Sequence, residues 1–292
     1  MILTSRAQRA STSSALPLET TRDESERSGE QLVGVGSLTD TAFWENYWGR
    51  IALPDAIDEQ RSFDRALATG LRKLVSGASG EALEVGCAPG RWLAFLAREF
   101  GLRVAGIEYT PDGAAATRRN LELLGVQSAD IREADFLSTV ATPRYDVVLS
   151  LGFVEHFTDV ETVIRLHADW ARPGGRVIIG VPNFRGVHGL LQRALDPEVL
   201  ARHNLDIMDR HRLAQLGARA GLVTESVEYL GSLEPTLPIA PAGVKGLSDL
   251  LAKVALRVMR AVRGAPVLGH RLDGWNNSFV SSYILASYRK PS

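Results

Sequence analysis

The run LEVGCAPG at residues 83–90 holds the residues best suited to bind a ligand through the backbone. It predicts a buried strand that enters a tight turn with glycines at 86 and 90, and a helix that opens at Pro89, a favoured first-turn residue. Glycine lets a ligand lie directly against the main chain. A dinucleotide-binding turn needs the pattern G-x-G-x-x-G, but Ala88 and Arg91 stand where its second and third glycines belong. The turn therefore argues against a pyrophosphate at this helix terminus.

Glu108 is the next candidate binding residue, because it ends the second predicted strand in the run Gly106-Ile107-Glu108. An acidic side chain at that strand tip, ~20 residues beyond the first glycine, accepts hydrogen bonds from ribose hydroxyls. Together, the turn and this carboxylate predict a ligand with a ribose and without a diphosphate. S-adenosylmethionine (SAM) fits that description. The alternative is that Glu108 only caps the helix that follows.

With these features the chain resembles the class I SAM-dependent methyltransferases. The resemblance covers roughly residues 80–230 and the closing strand, and it rests on LEVGCAPG at 83–90, GIE at 106–108, ADF at 134–136, YDVVLSLGFVEHF at 145–157 and PGGRVIIGVPN at 173–183. It implies an α/β fold with a Rossmann-like, doubly wound sheet of seven strands, the last of them antiparallel.

The resemblance also implies which residues hold SAM. They are Glu84, Gly86, Cys87, Gly90, Glu108, Tyr109, Asp135, Leu151 and, through its backbone, Phe136. Glu108 would bind the ribose diol, and Tyr109 would flank the adenine ring. Asp135 would accept a hydrogen bond from the adenine amine, and the carbonyl of Leu151 would hold the methionine amine. Cys87 is expected to be a small packed side chain rather than a nucleophile, and an Asx turn is the alternative for Asp135.

Glu155 and His156 follow the fourth predicted strand, close to where the methyl group of SAM is expected. Methyl transfer needs an in-line nucleophile and, where that nucleophile carries a proton, a group that removes it. A histidine suits a general base at neutral pH, and the resemblance implies that this stretch faces the acceptor. Phe153 is expected to contact the acceptor, with His203 and Asn204 as candidates of second rank. The alternative is that His156 only closes the loop onto the sheet, with Glu155 capping the next helix.

No metal ion is predicted. The chain lacks a carboxylate pair after the fourth strand of the kind that metal-dependent methyltransferases use. His203, Asp206 and His211 have no recognised ligand spacing.

Residues 41–50, TAFWENYWGR, predict a short helix with an aromatic face ahead of the sheet. Trp44, Tyr47 and Trp48 would form a lid over the cofactor, since aromatic faces favour a sulfonium cation. Arg50 would pair with the cofactor carboxylate. The alternative is that the helix simply docks by its apolar face.

The remaining pattern supplies the elements that position these residues. Strands and helices alternate at a spacing typical of a parallel sheet covered on both faces. The predicted strands are 81–85, 103–107, 129–133, 145–150, 176–181, 222–230 and 277–289, and the predicted helices are 58–76, 89–100, 111–124, 158–171, 187–195, 208–220 and 247–263. Two insertions, 183–207 and 231–275, follow strands at the carboxyl edge, where such folds build their pockets. The predicted divisions are a tail at 1–36 with order from near Thr39, a helical lid at 37–78 and a methyltransferase domain at 79–292.

The helix predicted at 247–263 is basic and amphipathic. Its apolar stripe consists of Leu250, Leu251, Val254, Val258 and Val262, and Lys253, Arg257 and Arg260 form the basic one. The preferred interpretation is the wall of an apolar substrate pocket with a solvated outer face. A helix that lies on a membrane surface is the alternative.

Composition narrows the partners. Lys and Arg total 33 against 34 Asp and Glu, so the basic excess of most polyanion-binding domains is missing. Enzymes that methylate base amines typically carry an Asn/Asp-Pro-Pro-aromatic run after the fourth strand, where this chain has SLGF at 150–153. We therefore predict a small-molecule acceptor, methylated at O, N or C and belonging to secondary metabolism, and no nucleic acid. A base methyltransferase and a SAM-binding protein without catalysis are the alternatives.

Location follows from what the sequence lacks. It has no uninterrupted apolar run of ~18 residues and no apolar signal region near its start, and its single cysteine cannot form an internal disulfide. These features predict a cytoplasmic protein and disfavour a membrane partner. The oligomeric state is left open, a homo-oligomer included.

Overall fold

The structure, a computed structural model, describes residues 35–240, 243 and 246–292. The tail predicted for residues 1–36 lies outside these residues except for its last two. Val35 is only 4% exposed, and its carbonyl oxygen accepts hydrogen bonds from the backbone amide and the hydroxyl of Thr158. The chain therefore joins the core ahead of Thr39, where the sequence pattern alone predicts order to begin.

The described strands form one sheet of seven, which confirms the predicted fold class. They are β1 (Glu81–Val85), β2 (Arg103–Glu108), β3 (Asp130–Glu133), β4 (Tyr145–Leu151), β5 (Ala171–Pro182), β6 (Val223–Ser232) and β7 (Ser281–Arg289). Their spatial order is β3-β2-β1-β4-β5-β7-β6, and β7 runs antiparallel to both of its neighbours. The order reverses between β1 and β4. Ligands of such sheets bind in the crevice at the carboxyl ends of the strands beside that reversal.

Helices cover both faces of the sheet. They are α1 (Thr41–Trp48), α2 (Ser62–Val75), α3 (Arg91–Phe100), α4 (Pro111–Leu123), α5 (Val160–Trp170), α6 (Val187–Leu195), α7 (Pro197–Ala201), α8 (Arg210–Arg219), α9 (Leu247–Gly264) and α10 (Pro266–Leu272). Leu71 of α2 and Leu93 of α3 are buried on one face. Ile164 of α5 and Leu213 of α8 are buried on the other. Each such side chain contributes about 1.5–3 kcal/mol to folding through its burial.

Several helix boundaries differ from the predicted ones. Helix α2 begins at Ser62 rather than at residue 58, and two further differences have local reasons. Helix α3 begins at Arg91 rather than Pro89, because Gly90 has a left-handed φ of +84° and still belongs to the turn. The helix predicted for 158–171 spans Val160–Trp170, and the Pro-Gly-Gly run after it does not simply close that helix. Residues 171–175 instead form an irregular start of β5, where the pairing with β4 slips by several residues.

The two insertions contain short helices that pack on each other. The first, 183–207, holds α6, α7 and a 3-10 turn at Leu205–Ile207, and the second holds α9 and α10. Leu195 of α6 joins Leu256 and Met259 of α9 in a small apolar cluster.

The outward face of α9 contradicts the interpretation of this helix as a pocket wall. Leu251 is 59% and Val258 is 56% exposed, although both belong to the stripe expected to line a pocket. The helix packs instead through a different arc that includes Leu256, which is 1% exposed. No helix in the described ranges combines the length and the apolar character needed to cross a membrane.

His167 is a fully buried histidine on the inner face of α5. Its Nδ1 donates a hydrogen bond to the carbonyl oxygen of Val163 at 2.8 Å, and its ring lies 4.7 Å from that of Phe136. Burial lowers the pKa of His167 to about 4. In the unfolded chain this histidine is protonated below about pH 6.5, whereas in the folded chain it is protonated only below about pH 4. Between these two pH values, folding therefore requires His167 to release its proton.

We expect His167→Leu to reduce the loss of stability on acidification. A histidine pKa that is lower in the folded state makes stability fall as the pH drops below about 6.5, and leucine removes this contribution. Between pH 7 and pH 5 the variant should lose up to about 2 kcal/mol less free energy of unfolding than the unsubstituted chain. Urea denaturation at both pH values measures this. His211→Leu, at an exposed position, is the control, and equal pH slopes for His167→Leu and the unsubstituted chain would contradict the assignment.

Candidate functional site

The turn after β1 requires glycine at both predicted positions. Gly86 and Gly90 have left-handed φ values of +66° and +84°. A Cβ at Gly86 would lie 2.8 Å from the ring of Phe153, and one at Gly90 would lie 2.9 Å from the Thr117 methyl group. The turn is therefore tight on its inner side, and a side chain at either position would collide with Phe153 or Thr117.

Cys87 packs beneath this turn. Its side chain is 1% exposed, and its sulfur occupies the space into which a Cβ at Gly106 of β2 would project. Burial raises the pKa of the thiol well above its usual range. Cys87 is thus the small packed residue that the sequence predicts rather than a nucleophile, and only its backbone is available to a cofactor.

Glu84 places a buried carboxyl group at the end of β1. It is 3% exposed and accepts a hydrogen bond from the Leu93 backbone amide, and its Oε2 has no partner among the described residues. Burial raises its pKa well above the usual value for Glu, and the charge of Glu108 acts in the same direction. A buried acceptor of this kind costs free energy unless a ligand donates to it.

Glu108 is held rigidly at the end of β2. Its Oε1 accepts hydrogen bonds from the amide of Thr110 at 3.0 Å and from its hydroxyl at 2.8 Å, and the Ala88 amide also donates to the carboxylate. Burial nevertheless raises its pKa, because desolvation outweighs these donors. The helix cap of α4 is Thr110, so Glu108 is free of that role and lies between the glycine turn and the tip of β2.

Tyr109 is half-exposed, and its hydroxyl accepts a hydrogen bond from Thr41 of α1 at 2.8 Å. This contact ties the tip of β2 to the helix that precedes the sheet.

Asp135 and Phe136 follow β3 in a short turn. Asp135 is exposed, and its Oδ1 accepts a hydrogen bond from the Leu137 amide at 2.9 Å, which is the Asx turn considered as its alternative. Its other carboxylate oxygen lies 3.3 Å from the Ser138 hydroxyl. Phe136 is buried, and its ring packs 5.8 Å from that of Phe153, which leaves only its backbone for a ligand.

The chain turns sharply where β4 ends. Leu151 pairs with Gly180 of β5, and Gly152 donates to the Gly180 carbonyl at 2.8 Å before turning with a left-handed φ of +81°. A 3-10 turn at Val154–His156 follows immediately. This geometry directs residues 155 and 156 back toward the edge of the sheet.

Phe153 packs partly into the core. Its ring lies 5.0 Å from Phe157 and 5.8 Å from Phe136, against Gly86 of the glycine turn. The side chain is only partly buried, and its contact with an acceptor stays a prediction.

Glu155 and His156 are both buried and lie beside each other. Glu155 Oε1 is 3.8 Å from His156 Nε2, and Glu155 Oε2 has no partner among the described residues. Burial raises the pKa of Glu155 to about 8 and lowers that of His156 to about 4. At neutral pH His156 is therefore uncharged, with its Nδ1 donating to the carbonyl of Arg202 at 2.8 Å and a lone pair on Nε2.

Tyr283 of β7 is a site residue that sequence reasoning missed. It is buried, and burial raises its pKa well above the usual range, with the charges of Glu155 and Glu84 acting in the same direction. Its hydroxyl lies beside Gly180 of β5, where an added Cβ would approach it to 3.0 Å. The sequence pattern places Tyr283 only within the last predicted strand, and the antiparallel pairing with β5 sets it opposite Pro182, where β5 ends.

The first insertion brings His203 to this place. Its ring lies 4.8 Å from that of His156, and its Nδ1 donates to the Val199 carbonyl at 2.7 Å. Asn204, for which an acceptor contact is predicted, makes two hydrogen bonds to the loop after β4. Its backbone amide donates a hydrogen bond to the Glu155 carbonyl at 2.7 Å, and its side-chain amide donates one to the Phe157 carbonyl at 3.0 Å. These two bonds hold the first insertion against the loop after β4.

Helix α1 crosses the same edge of the sheet. The Trp44 ring lies edge-on at 5.1 Å from the His156 ring, and the Arg202 guanidinium lies 4.7 Å from the centre of the Phe43 ring. Tyr47 and Arg50 are exposed and line an open cleft of about 520 Å³ on the outer side of the helix. Of the aromatic residues of α1, Trp44 rather than Tyr47 therefore packs against His156.

The residues present fit SAM. Glu84 Oε2 is a buried acceptor that lacks a donor, the glycine turn leaves backbone open beside it, and the rigid Glu108 carboxylate lies beyond the turn. An ammonium group and a ribose diol are the donors that these two carboxyl groups require.

Comparison with known proteins agrees with this geometry. A model of a methyltransferase domain matches residues 57–227. The ubiquinone biosynthesis O-methyltransferase of Serratia proteamaculans (strain 568) is 34% identical over 102 residues, which cover 35% of this chain and 42% of that protein. The chain thus spans less than half the length of this relative. Methyltransferase GfsG of Streptomyces halstedii is 25% identical over 274 residues, 90% of this chain and 94% of that one.

A solved structure extends the similarity to the fold. The geranyl diphosphate C-methyltransferase from Streptomyces coelicolor A3(2), solved with Mg²⁺, geranyl diphosphate and S-adenosyl-L-homocysteine (SAH), has a TM-score of 0.56 at 15% identity. The alignment covers 86% of this chain and 97% of that one. Because the family model covers more than half of the chain and includes the glycine turn, Glu108 and Glu155, the chain belongs to the methyltransferase-domain family, whose cofactor is SAM.

Proposed function

We propose that this protein transfers the methyl group of SAM to a nucleophilic atom of a small organic molecule of secondary metabolism. One observation carries the proposal. The glycine turn on the cofactor side meets the loop that carries Glu155 and His156, since a Cβ at Gly86 would lie 2.8 Å from the ring of Phe153, so the two sets of candidate residues lie at one edge of the sheet. A crevice with a cofactor side and an acceptor side is what a bisubstrate transfer requires.

On the cofactor side, the chain would hold SAM through groups at the ends of β1, β2 and β4. Glu84 and the carbonyl of Leu151 would bind the methionine end, and Glu108 the ribose diol. Asp135 and the backbone of Phe136 would contact the adenine, beside Tyr109. When bound, SAM supplies a methyl group on a positively charged sulfonium sulfur. Transfer of the methyl group turns this sulfur into the uncharged thioether of SAH.

On the acceptor side, Glu155 and His156 would prepare the nucleophile. The lone pair on His156 Nε2 can accept a proton from an acceptor hydroxyl or amine, since its Nδ1 is committed to the Arg202 carbonyl. Glu155, whose carboxyl oxygen lies 3.8 Å away, would be protonated at neutral pH because burial raises its pKa to about 8, and it would orient the acceptor through a hydrogen bond. Trp44 and the first insertion exclude water from this pair, which strengthens both interactions.

Oxygen is the acceptor atom that the comparisons favour. The Serratia relative is by name an O-methyltransferase of ubiquinone biosynthesis, and its similarity covers 35% of this chain. A buried neutral histidine is also the kind of group that an acceptor with a titratable proton needs.

The first experiment separates catalysis from simple cofactor binding. Calorimetric titration with SAM and SAH is expected to show one site, and incubation of the enzyme and SAM with a panel of phenols, polyketides and sugar-linked metabolites is expected to release SAH. Binding without turnover on any panel member would favour the non-catalytic alternative. Methylation of an oligonucleotide instead would favour the base methyltransferase.

We expect Glu108→Gln to weaken SAH binding by ~10- to 100-fold, because a charge-assisted hydrogen bond to the ribose diol is replaced by a neutral one. Calorimetry gives the dissociation constants. Glu133→Gln is the matched control, since Glu133 is exposed and pairs with Glu108 in the register of β2 and β3. An unchanged dissociation constant for Glu108→Gln would remove Glu108 from the cofactor site.

We expect His156→Gln to lower kcat by about 100-fold or more while SAH affinity stays within ~3-fold, because glutamine keeps the bond to the Arg202 carbonyl but cannot take a proton. Release of SAH with the acceptor from the panel measures kcat. His270→Gln, at an exposed position, is the control. Full turnover in His156→Gln at saturating SAM would show that the residue only closes the loop.

A further inference from the structure

Glu155, His156 and His203 form a cluster of metal-ligating side chains. One potential ligand atom from each lies within 4.8 Å of the other two. The three come from two separate parts of the chain, the 3-10 turn after β4 and the loop after α7, and the hydrogen bonds of Asn204 hold these parts together. The sequence-based prediction of no metal site considered His203 only with Asp206 and His211, and the fold gives it different neighbours.

Both imidazole rings are oriented as metal ligands are. The Nδ1 atoms donate to backbone carbonyls, that of His156 to Arg202 at 2.8 Å and that of His203 to Val199 at 2.7 Å. A carbonyl can only accept, so each Nδ1 carries the hydrogen and each Nε2 keeps its lone pair. Metal-bound histidines almost always make such a bond with their second nitrogen, which fixes the tautomer and the ring orientation.

The electrostatic state of the cluster also suits a cation. Glu155 is 1% exposed, and its Oε2 lacks a partner among the described residues. A buried carboxyl group in that condition lacks a countercharge, and a divalent ion would supply one.

The walls of the cluster are aromatic. Trp44 packs edge-on against His156 at 5.1 Å, and Phe184 packs against His203 at the same centroid distance. These rings restrict both imidazoles and keep bulk water away from them, which favours ligation by a small number of side chains with vacant positions left on the ion.

We propose that Glu155, His156 and His203 bind one divalent transition-metal ion, with Zn²⁺ the best fit to their two nitrogens and one oxygen. Three protein ligands of this composition leave at least one coordination position for water or substrate. Ligand atoms on a shared ion lie ~3–3.5 Å apart, so the side chains must close by about 1 Å from the spacing described above.

A role for the ion in the reaction rests on the proposed function, but the site itself does not. An acceptor hydroxyl bound at the open position would have a lower pKa, as metal-bound water does, and would release its proton to a water molecule. His156 Nε2 would then be a ligand rather than the base. Sensitivity of turnover to a chelator separates these two roles, and it does so without affecting the test of binding below.

Binding of Co²⁺ and Zn²⁺ by the full chain tests the site. After chelator treatment and buffer exchange, titration with CoCl₂ is expected to give visible ligand-field absorption that saturates at one ion per chain. Calorimetry with ZnCl₂ is expected to give the same stoichiometry. His203→Gln is expected to weaken both by ~100-fold or more, since loss of outer partners alone costs 10- to 100-fold. His211→Gln, at an exposed position of the same region, is the matched control.

Two outcomes would overturn the proposal. They are the absence of Co²⁺ and Zn²⁺ binding by the unsubstituted chain, and equal affinity in the unsubstituted chain and His203→Gln. Retained SAH binding by calorimetry shows that the variant is folded. If His203→Gln does not fold, Glu155→Gln takes its place, because it conserves the shape of the side chain and removes only its charge. Failure of SAH to bind the unsubstituted chain would instead count against the proposed function, so the two ideas fail separately.

Discussion

The parallel pairing of β1 with both β2 and β4 is the constraint on which the rest of this structure depends. β1 pairs through Glu84 with Gly106 on one side and with Leu149 on the other, so all three strands end at one edge. The carboxyl groups that follow or end these strands are thereby drawn into one crevice. No local propensity accounts for this arrangement, because strands that are far apart in sequence are held together only by their backbone hydrogen bonds and the two apolar layers around them.

The crevice contains buried carboxyl groups that are incompletely paired. Burial raises the pKa values of Glu84, Glu108 and Glu155, and two of these carboxyl groups have an oxygen without a partner among the described residues. Native proteins pair nearly all buried polar atoms, so such exceptions concentrate where a ligand completes the set. Unpaired buried carboxyl oxygens lower the stability of the free protein, and a ligand that donates hydrogen bonds to them regains this free energy on binding.

The elements outside the sheet complete one side of the site rather than adding a separate one. Helix α1 reaches Tyr109 at one end and His156 in its middle, and the first insertion delivers His203 and fastens itself through Asn204. Both segments are weakly patterned in sequence, and both owe their positions to contacts with the loop after β4. The variable parts of such folds therefore shape the acceptor side, and the cofactor side is built from the sheet itself.

The sequence by itself determined the alternation of strands and helices, the glycine turn, the carboxylate at the tip of β2 and the pair at residues 155 and 156. These features are local in the chain, and hydrophobic periodicity, glycine spacing and a motif resemblance carry them. The tertiary structure alone decided that Phe153 packs partly into the core and that Asn204 holds the first insertion against the loop after β4. It also decided that Tyr283 lies opposite the end of β5, that His203 packs beside His156 and that the apolar stripe of α9 faces outward. Each of these depends on which distant segment covers a given face, and no periodicity in a single segment encodes that choice.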